Sequence, residues 1–189
     1  MSHSYLELFF TKAVQDYQQQ KGSHHAYAHY IRKQRHQGAL TDNEKQFISD
    51  RDSFYIATIS ESGWPYLQHR GGPRGFVKII DDHTIGYADY AGNRQYITSG
   101  NLTTNHRISL IFMDYPNQAR LKVAGTMQLV DDSNWSLMAE LEPTDYPAVV
   151  ERGYVITVTG YDWNCPRHIP RRYTAEEFEE HFKPSNKQG

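Results

Sequence analysis

Cysteine is almost absent from this chain: Cys165 is the one thiol in 189 residues. That excludes an intramolecular disulfide and any Cys-x-x-Cys redox or metal pair. Long apolar runs are missing as well, and no stretch approaches the ~18 residues needed to cross a bilayer. The opening "MSHSYLELFF" has no basic segment ahead of an apolar one, so no secretory signal is expected and a cytoplasmic location is. The Asn-x-Ser/Thr sequons at Asn101 and Asn134 should then be idle. Charge of one sign is also lacking. Twenty Lys plus Arg against 22 Asp plus Glu leave a net charge of −2, which argues against nucleic acid or a membrane surface as partner. Finally, there is no G-x-G-x-x-G after a strand, no G-x-x-x-x-G-K-[ST], no G-x-S-x-G and no H-E-x-x-H. Rossmann, P-loop and common hydrolase chemistries lose their support.

What is present is a change of period. Residues 1–52 read as helical: Leu6, Phe9, Phe10, Ala13, Val14 and Tyr17 recur at about 3.6, Gly22 offers a stop, and Thr41 with Glu44 forms a capping box. From 53 onward the period is two. Strands are predicted over 53–60, 65–70, 75–81, 84–90, 107–115, 119–131 and 154–163, with a hairpin at Asp82-His83 and a turn at Pro116-Asn117. Short helices are expected over 132–142 and 174–182, the second capped by Thr174. Many short strands with few helices between them predict a mainly β fold, an antiparallel barrel with flanking helices, rather than a parallel α/β sheet. Aromatics reach 13 % of residues, fourteen of them Tyr, which suits a flat ligand, a dimer interface or a β-rich core.

Two segments concentrate cations and glycine. "HRGGPRGFVK" (69–78) carries Arg70, Arg74 and Lys78 around a flexible backbone. It reads equally as a phosphate-approaching loop and as a turn with solvated charges. "YAGNRQYITSGNL" (90–102) holds Gly-Asn twice, with Arg94 directly after the first. Asn93 is the expected cap of a helix starting near Arg94, and Gly100-Asn101 its stop. A cation at a helix start is unfavourable alone and favourable beside an anion, so an anion site assembled from both segments is the expectation.

A third segment, "YDWNCPRHIPRR" (161–172), offers Trp163 and His168 for stacking and proton transfer, with Arg167, Arg171 and Arg172 for an acidic substrate. The competing reading is a basic strap packed on the barrel. Cys165 reads as structural, Met113, Met127 and Met138 as core fillers, and His25 with His29 as an i, i+4 pair without a third metal ligand.

The run from "FYIATISESGWPYLQHRGGPRGFVK" through "GYADYAGNRQYITSGNL" to "LKVAGTMQLV", with a later "WNCPRHI", resembles the pyridoxamine 5′-phosphate oxidase-like FMN-binding split-barrel family. The resemblance spans about 54–130 plus 163–172. It implies a split β-barrel homodimer with FMN between subunits. Residue by residue it implies that Arg70 and Lys78 line the flavin and that Gly75, Phe76 and Val77 give backbone contacts. It also places Tyr87 and Ala88 at the end of the next strand, and Asn93 and Arg94 at the phosphate clamp. Arg120 and Leu121 fall where the family's partner strand contributes a Gln. "GNR" replaces the oxidases' usual Ser-Arg-Lys, and the C-terminal motif differs from theirs, so no substrate is carried over. Trp163, Arg167 and His168 remain the candidates for catalysis. The implied organisation is a helical extension (1–52), a barrel (53–163) and a strap with helix (164–189). The implied activity is an FMN-dependent oxidoreductase acting on a small molecule. A non-catalytic flavin module, or a barrel holding haem or a deazaflavin, stays open.

Overall fold

The structure, a computed structural model, describes residues 5–27, 38–130 and 132–182. Seven strands carry the fold: β1 Ser53–Ile59, β2 Pro65–Gly71, β3 Val77–Asp81, β4 Thr84–Tyr90, β5 Arg107–Asp114, β6 Ala119–Val130 and β7 Val150–Trp163. They form a single antiparallel sheet in the order β2-β1-β5-β6-β7-β4-β3. Period-two burial is clearest in β1, where Phe54, Ile56 and Thr58 point inward, and in β5, where Ile108, Leu110 and Phe112 do.

The sheet curls on itself without closing. Phe54 on β1 stacks with Phe76, just ahead of β3, at 5.7 Å between ring centroids, and meets Tyr87 of β4 at 5.1 Å. Strands distant in the sheet order thus touch through their side chains while the edges of β2 and β3 remain unpaired with each other. This is a split barrel around one apolar core. One end of the split is held by charge: Arg70 Nη1 of β2 lies 2.5 Å from Asp89 Oδ1 of β4, with side chains only 17 % and 10 % exposed.

Short helices flank the sheet, most of them ahead of β5. α1 (Tyr5–Phe9) and α2 (Lys12–Gln20) are separate, because Thr11 starts a new helix by accepting a hydrogen bond from the Val14 amide. The single N-terminal helix read from the apolar spacing is therefore divided. Gly22 takes φ 75 just beyond α2, as a stop requires. α1 lies on β7, where Gly160 leaves room; a Cβ there would sit 2.7 Å from the Tyr5 amide nitrogen. α3 (Asp42–Ser49) docks through Glu44, which accepts hydrogen bonds from its own cap, Thr41, and from Trp163 Nε1 at 2.6 Å. Phe47 packs edge-on against the Trp163 ring at 4.7 Å, and Lys45 pairs with Asp82 at 2.6 Å. α4 (Ile97–Leu102) joins β4 to β5, and α5 (Trp135–Leu141) follows a 3₁₀ turn at Asp132–Asn134. α6 (Ala175–Phe182) is capped by Thr174, whose hydroxyl accepts from the Glu177 amide at 3.2 Å. His29, of the paired histidines, lies outside the described residues. No described helix is long and apolar enough to cross a membrane.

β7 begins at Val150, not at 154. Glu151, Arg152 and Gly153 look like loop in the sequence, yet the strand runs through them: Asp89 faces Arg152, Ala88 faces Gly153, and Glu151 sits at a bulge between Arg152 and Val150. Gly153 suits the place, since a Cβ would come 2.6 Å from Leu141.

Two outcomes follow from these contacts. Burial pushes the Glu44 carboxyl up, but hydrogen bonds from Thr41, Trp163 and Asn43 outweigh it and hold the group below its usual range. A depressed carboxylate contributes stability above its unfolded value of about 4.3 and loses it as pH falls through the folded value. Glu44→Gln should cost about 1–2 kcal/mol at neutral pH, with the gap to wild type closing below that window in denaturant melts. Arg70→Ala should cost about 3 kcal/mol by stranding Asp89, while the paired change Arg70→Met with Asp89→Leu should recover most of it.

Candidate functional site

A cavity of ≈ 220 Å³ opens above the Arg70–Asp89 pair, walled by β2, the end of β4, the start of β7 and the loop 91–96 leading into α4. Alternation along β2 turns Tyr66, Gln68 and Arg70 to one face, and all three line it. Asp89 continues the inward face of β4 that carries Tyr87 into the core, so the carboxylate ends up at the mouth of the barrel.

The polar groups here form one connected set. Asp89 is held by Arg70 and, at 3.7 Å, by Arg152 Nε. Arg152 also donates to Ser99 Oγ at 3.2 Å and pairs with Glu151 at 2.5 Å, and its guanidinium lies 4.5 Å from the centroid of the Tyr96 ring. Ser99 shares a 2.7 Å hydrogen bond with the Tyr154 hydroxyl. The Tyr96 hydroxyl accepts from Arg94 Nε at 3.0 Å and donates to Glu151 Oε1 at 3.3 Å. Burial raises the Asp89 carboxyl above its ordinary range, against the pull of Arg70 and Arg152, and it raises the Tyr154 hydroxyl as well. The Nε atoms of Arg70 and Arg152 are buried without a hydrogen-bond partner among the described residues, as is that of Arg120 outside the cavity. Such orphaned charged donors are costly and mark a place where an acceptor is wanted.

The loop is strained. Arg94 and Tyr96 adopt φ 59 and φ 52, left-handed values that cost a non-glycine residue on the order of 1 kcal/mol or more each. This corrects the helix expected from Arg94. Asn93 Oδ1 accepts from the Gln95 amide at 3.2 Å in a local turn, α4 starts only at Ile97, and Gly100 and Asn101 sit inside α4 instead of ending it. The physical reason is Tyr96: its left-handed backbone interrupts the chain between the asparagine and the helix. Asn101 is buried, with Nδ2 donating to Thr58 Oγ1 at 2.8 Å, so its sequon is part of the packing.

Of the expected site residues, the cavity gathers Arg70, Asn93 and Arg94. The others lie elsewhere. Phe76, Val77, Tyr87, Ala88 and Leu121 are core residues, with the Tyr87 hydroxyl on Met127 Sδ at 3.7 Å. Gly75 takes φ 78 ahead of β3, and Lys78 sits on β3 away from the cavity. Arg120 donates to the Cys165 carbonyl at 3.3 Å. Trp163 spends its indole N–H and its ring face on α3. Arg167 and His168 are exposed in the segment after β7, where His168 takes φ 66. Arg171 reaches Gln118 at 3.2 Å, Arg172 stacks 5.0 Å from the Tyr115 ring centroid, and Arg74 approaches Glu177 at 3.8 Å. This segment packs along the barrel as a strap. Sequence reasoning missed Asp89, Ser99, Glu151, Arg152 and Tyr154. Their one available signal was a charged residue inside an otherwise apolar strand, as in "YADY". Among the described residues no three or more of His, Cys, Asp and Glu are grouped to hold a metal.

No curated protein matches the sequence significantly. Sixty solved chains do match in structure. A protein from Lactobacillus delbrueckii described as a pyridoxamine 5′-phosphate oxidase shares 17 % identity, with 66 % of this chain and 94 % of that one covered at a TM-score of 0.50. An FMN-binding protein from Syntrophomonas wolfei shares 12 % identity over 64 % of this chain and 83 % of that one, with a TM-score of 0.45. The haem storage protein HutZ from Vibrio cholerae shares 12 % over 64 % and 90 %, with a TM-score of 0.39. At such identities likeness speaks to the fold alone. The sequence profile described as pyridoxamine 5′-phosphate oxidase matches residues 40–148, more than half of the chain, from the segment entering α3 to the approach to β7. The chain belongs to the pyridoxamine 5′-phosphate oxidase family.

Proposed function

We propose that this protein is an FMN-dependent oxidoreductase, working in the cytoplasm as a homodimer, and that the cavity beside Arg70 takes the FMN phosphate. The observation that carries this reading is convergence. Two arginines from segments far apart in sequence, Arg70 and Arg94, line one cavity with the hydroxyls of Tyr96, Thr98 and Ser99. The donor set fits a phosphate monoester: rigid guanidinium forks, hydroxyls, and a buried Nε still lacking an acceptor. Arg70 is fixed by Asp89, whereas Arg94 is exposed and held only through Nε on the Tyr96 hydroxyl, which leaves its terminal nitrogens for a ligand. Bound FMN would supply two-electron chemistry, accepting a hydride equivalent from a small substrate.

The cavity's ≈ 220 Å³ is below the ~300–1,000 Å³ of a typical small-ligand pocket. It suits the phosphate end of FMN and leaves the ring outside, where a second copy of the chain would cover it. Neither Arg167 nor His168 lines the cavity of its own chain, so any role for them at the ring requires that second copy. Among the described residues no histidine lines the cavity, so none of them offers a haem an axial imidazole there.

Arg94→Ala should weaken FMN binding about 10–100-fold, the value of one charged hydrogen-bonding partner, and leave riboflavin binding unchanged. Quenching of flavin fluorescence reads both; an equal loss for the two ligands would contradict the phosphate assignment.

A further inference from the structure

The cavity carries its own opposing charge. Arg70 and Arg94 line it, but so do Asp89 and Glu151, and the four formal charges cancel. A phosphate monoester brings about −1.5 to −2 more at neutral pH. Something must yield for it to bind well. Asp89 is a poor candidate, because it is buried at the base of the cavity and tied to Arg70 and Arg152 at the end of the split.

Glu151 is different in three respects. It faces the cavity, and its side chain is 20 % exposed against 10 % for Asp89. Its carboxylate sits among groups that an oxyanion would use: Oε2 on Arg152 Nη2 at 2.5 Å, and Oε1 on the Tyr96 hydroxyl, which Arg94 Nε already touches at 3.0 Å. It also lies at a β-bulge. The ladder passes from Asp89 opposite Arg152 to Tyr90 opposite Val150, so Glu151 has no partner across the sheet. A bulge re-aims a side chain, and here consecutive residues serve one site, Arg152 from behind the wall and Glu151 at its face. The carboxylate can leave without breaking a ladder pair.

We propose that Glu151 is the resident counter-ion of this site, occupying the place that a phosphate takes, and that a phosphate monoester binds by exchange with its carboxylate. This rests on the reading of the cavity as a phosphate site. With Glu151 withdrawn, the lining holds two cations and one anion, and Arg152 gains a donor free for the newcomer. Arg152 itself stays anchored by Ser99 and Asp89. Glu151 thereby sets both the affinity of the site and its selectivity against singly charged anions, which gain less from displacing a carboxylate of equal charge.

The test is a titration of the full chain, freed of bound flavin, with FMN, riboflavin and inorganic phosphate as a competitor. Glu151→Gln should tighten FMN binding about tenfold, as removal of one like charge at close range predicts, and leave riboflavin unchanged. Phosphate should compete at lower concentration. Glu151→Asp, which keeps the charge, should stay near wild type, and Glu151→Ala should move with the glutamine variant. Weaker or unaltered FMN binding in Glu151→Gln, while Arg94→Ala still loses FMN selectively, would overturn the exchange and leave the phosphate site standing. No difference between FMN and riboflavin in any variant would remove both. Selectivity for FMN that appears only after Glu151→Gln would support the exchange directly.

Discussion

The ion pair between Arg70 and Asp89 is the contact on which both the barrel and its cavity depend. β2 and β4 are far apart in the sheet order, and no ladder hydrogen bonds join them. The aromatic contacts of Phe54 with Phe76 and Tyr87 bring the two sides of the split together in the core. At the mouth, where Tyr66 and Gln68 face the cavity, the charge pair continues that closure. Partly buried charges are expensive to desolvate, so the pair is stable only as a member of a larger set that includes Arg152, Ser99 and Tyr154. The same desolvation leaves guanidinium Nε atoms wanting an acceptor. On the proposed reading, closure of the barrel and the binding of a phosphate are one arrangement viewed from two sides.

The N-terminal extension and the C-terminal strap are held by polar contacts of their own, although Arg120 Nε and Asn164 Oδ1 are buried without a partner among the described residues. Glu44 answers Thr41 and Trp163, Lys45 answers Asp82, and Arg120 and Arg171 answer a carbonyl and an amide oxygen. Trp163, a flat ring in a segment suited to flavin stacking, is committed to α3 by both its face and its N–H. The family's profile begins at residue 40, just before α3, so this helix lies within the matched span, while α1 and α2 lie outside it.

The fold was legible because strand periodicity is a local property. β1, β5 and the Asp82-His83 hairpin stand where alternation and turn residues put them. Arg70 and Arg94 were legible as a pair because two glycine-rich cationic segments are uncommon in a chain with no cationic excess. What escaped depends on tertiary context. Arg152 and Val150 belong to β7 because β4 offers them a ladder, and the place of Glu151 between them follows from a bulge that leaves no trace in composition. The helix expected at Asn93 failed for a related reason: Asn93 and Ile97 both favour a turn-to-helix passage, but Tyr96 is held left-handed between them, its hydroxyl on Arg94 and Glu151. Propensity could not report a strain that the surrounding contacts impose.

The most direct test of the central claim is the absorption spectrum of the purified protein, with the mass of whatever chromophore heat releases. A flavin spectrum with the mass of FMN is the predicted result. A haem spectrum, or a colourless protein that takes up no added FMN, would contradict the account and leave the split barrel without the function proposed for it.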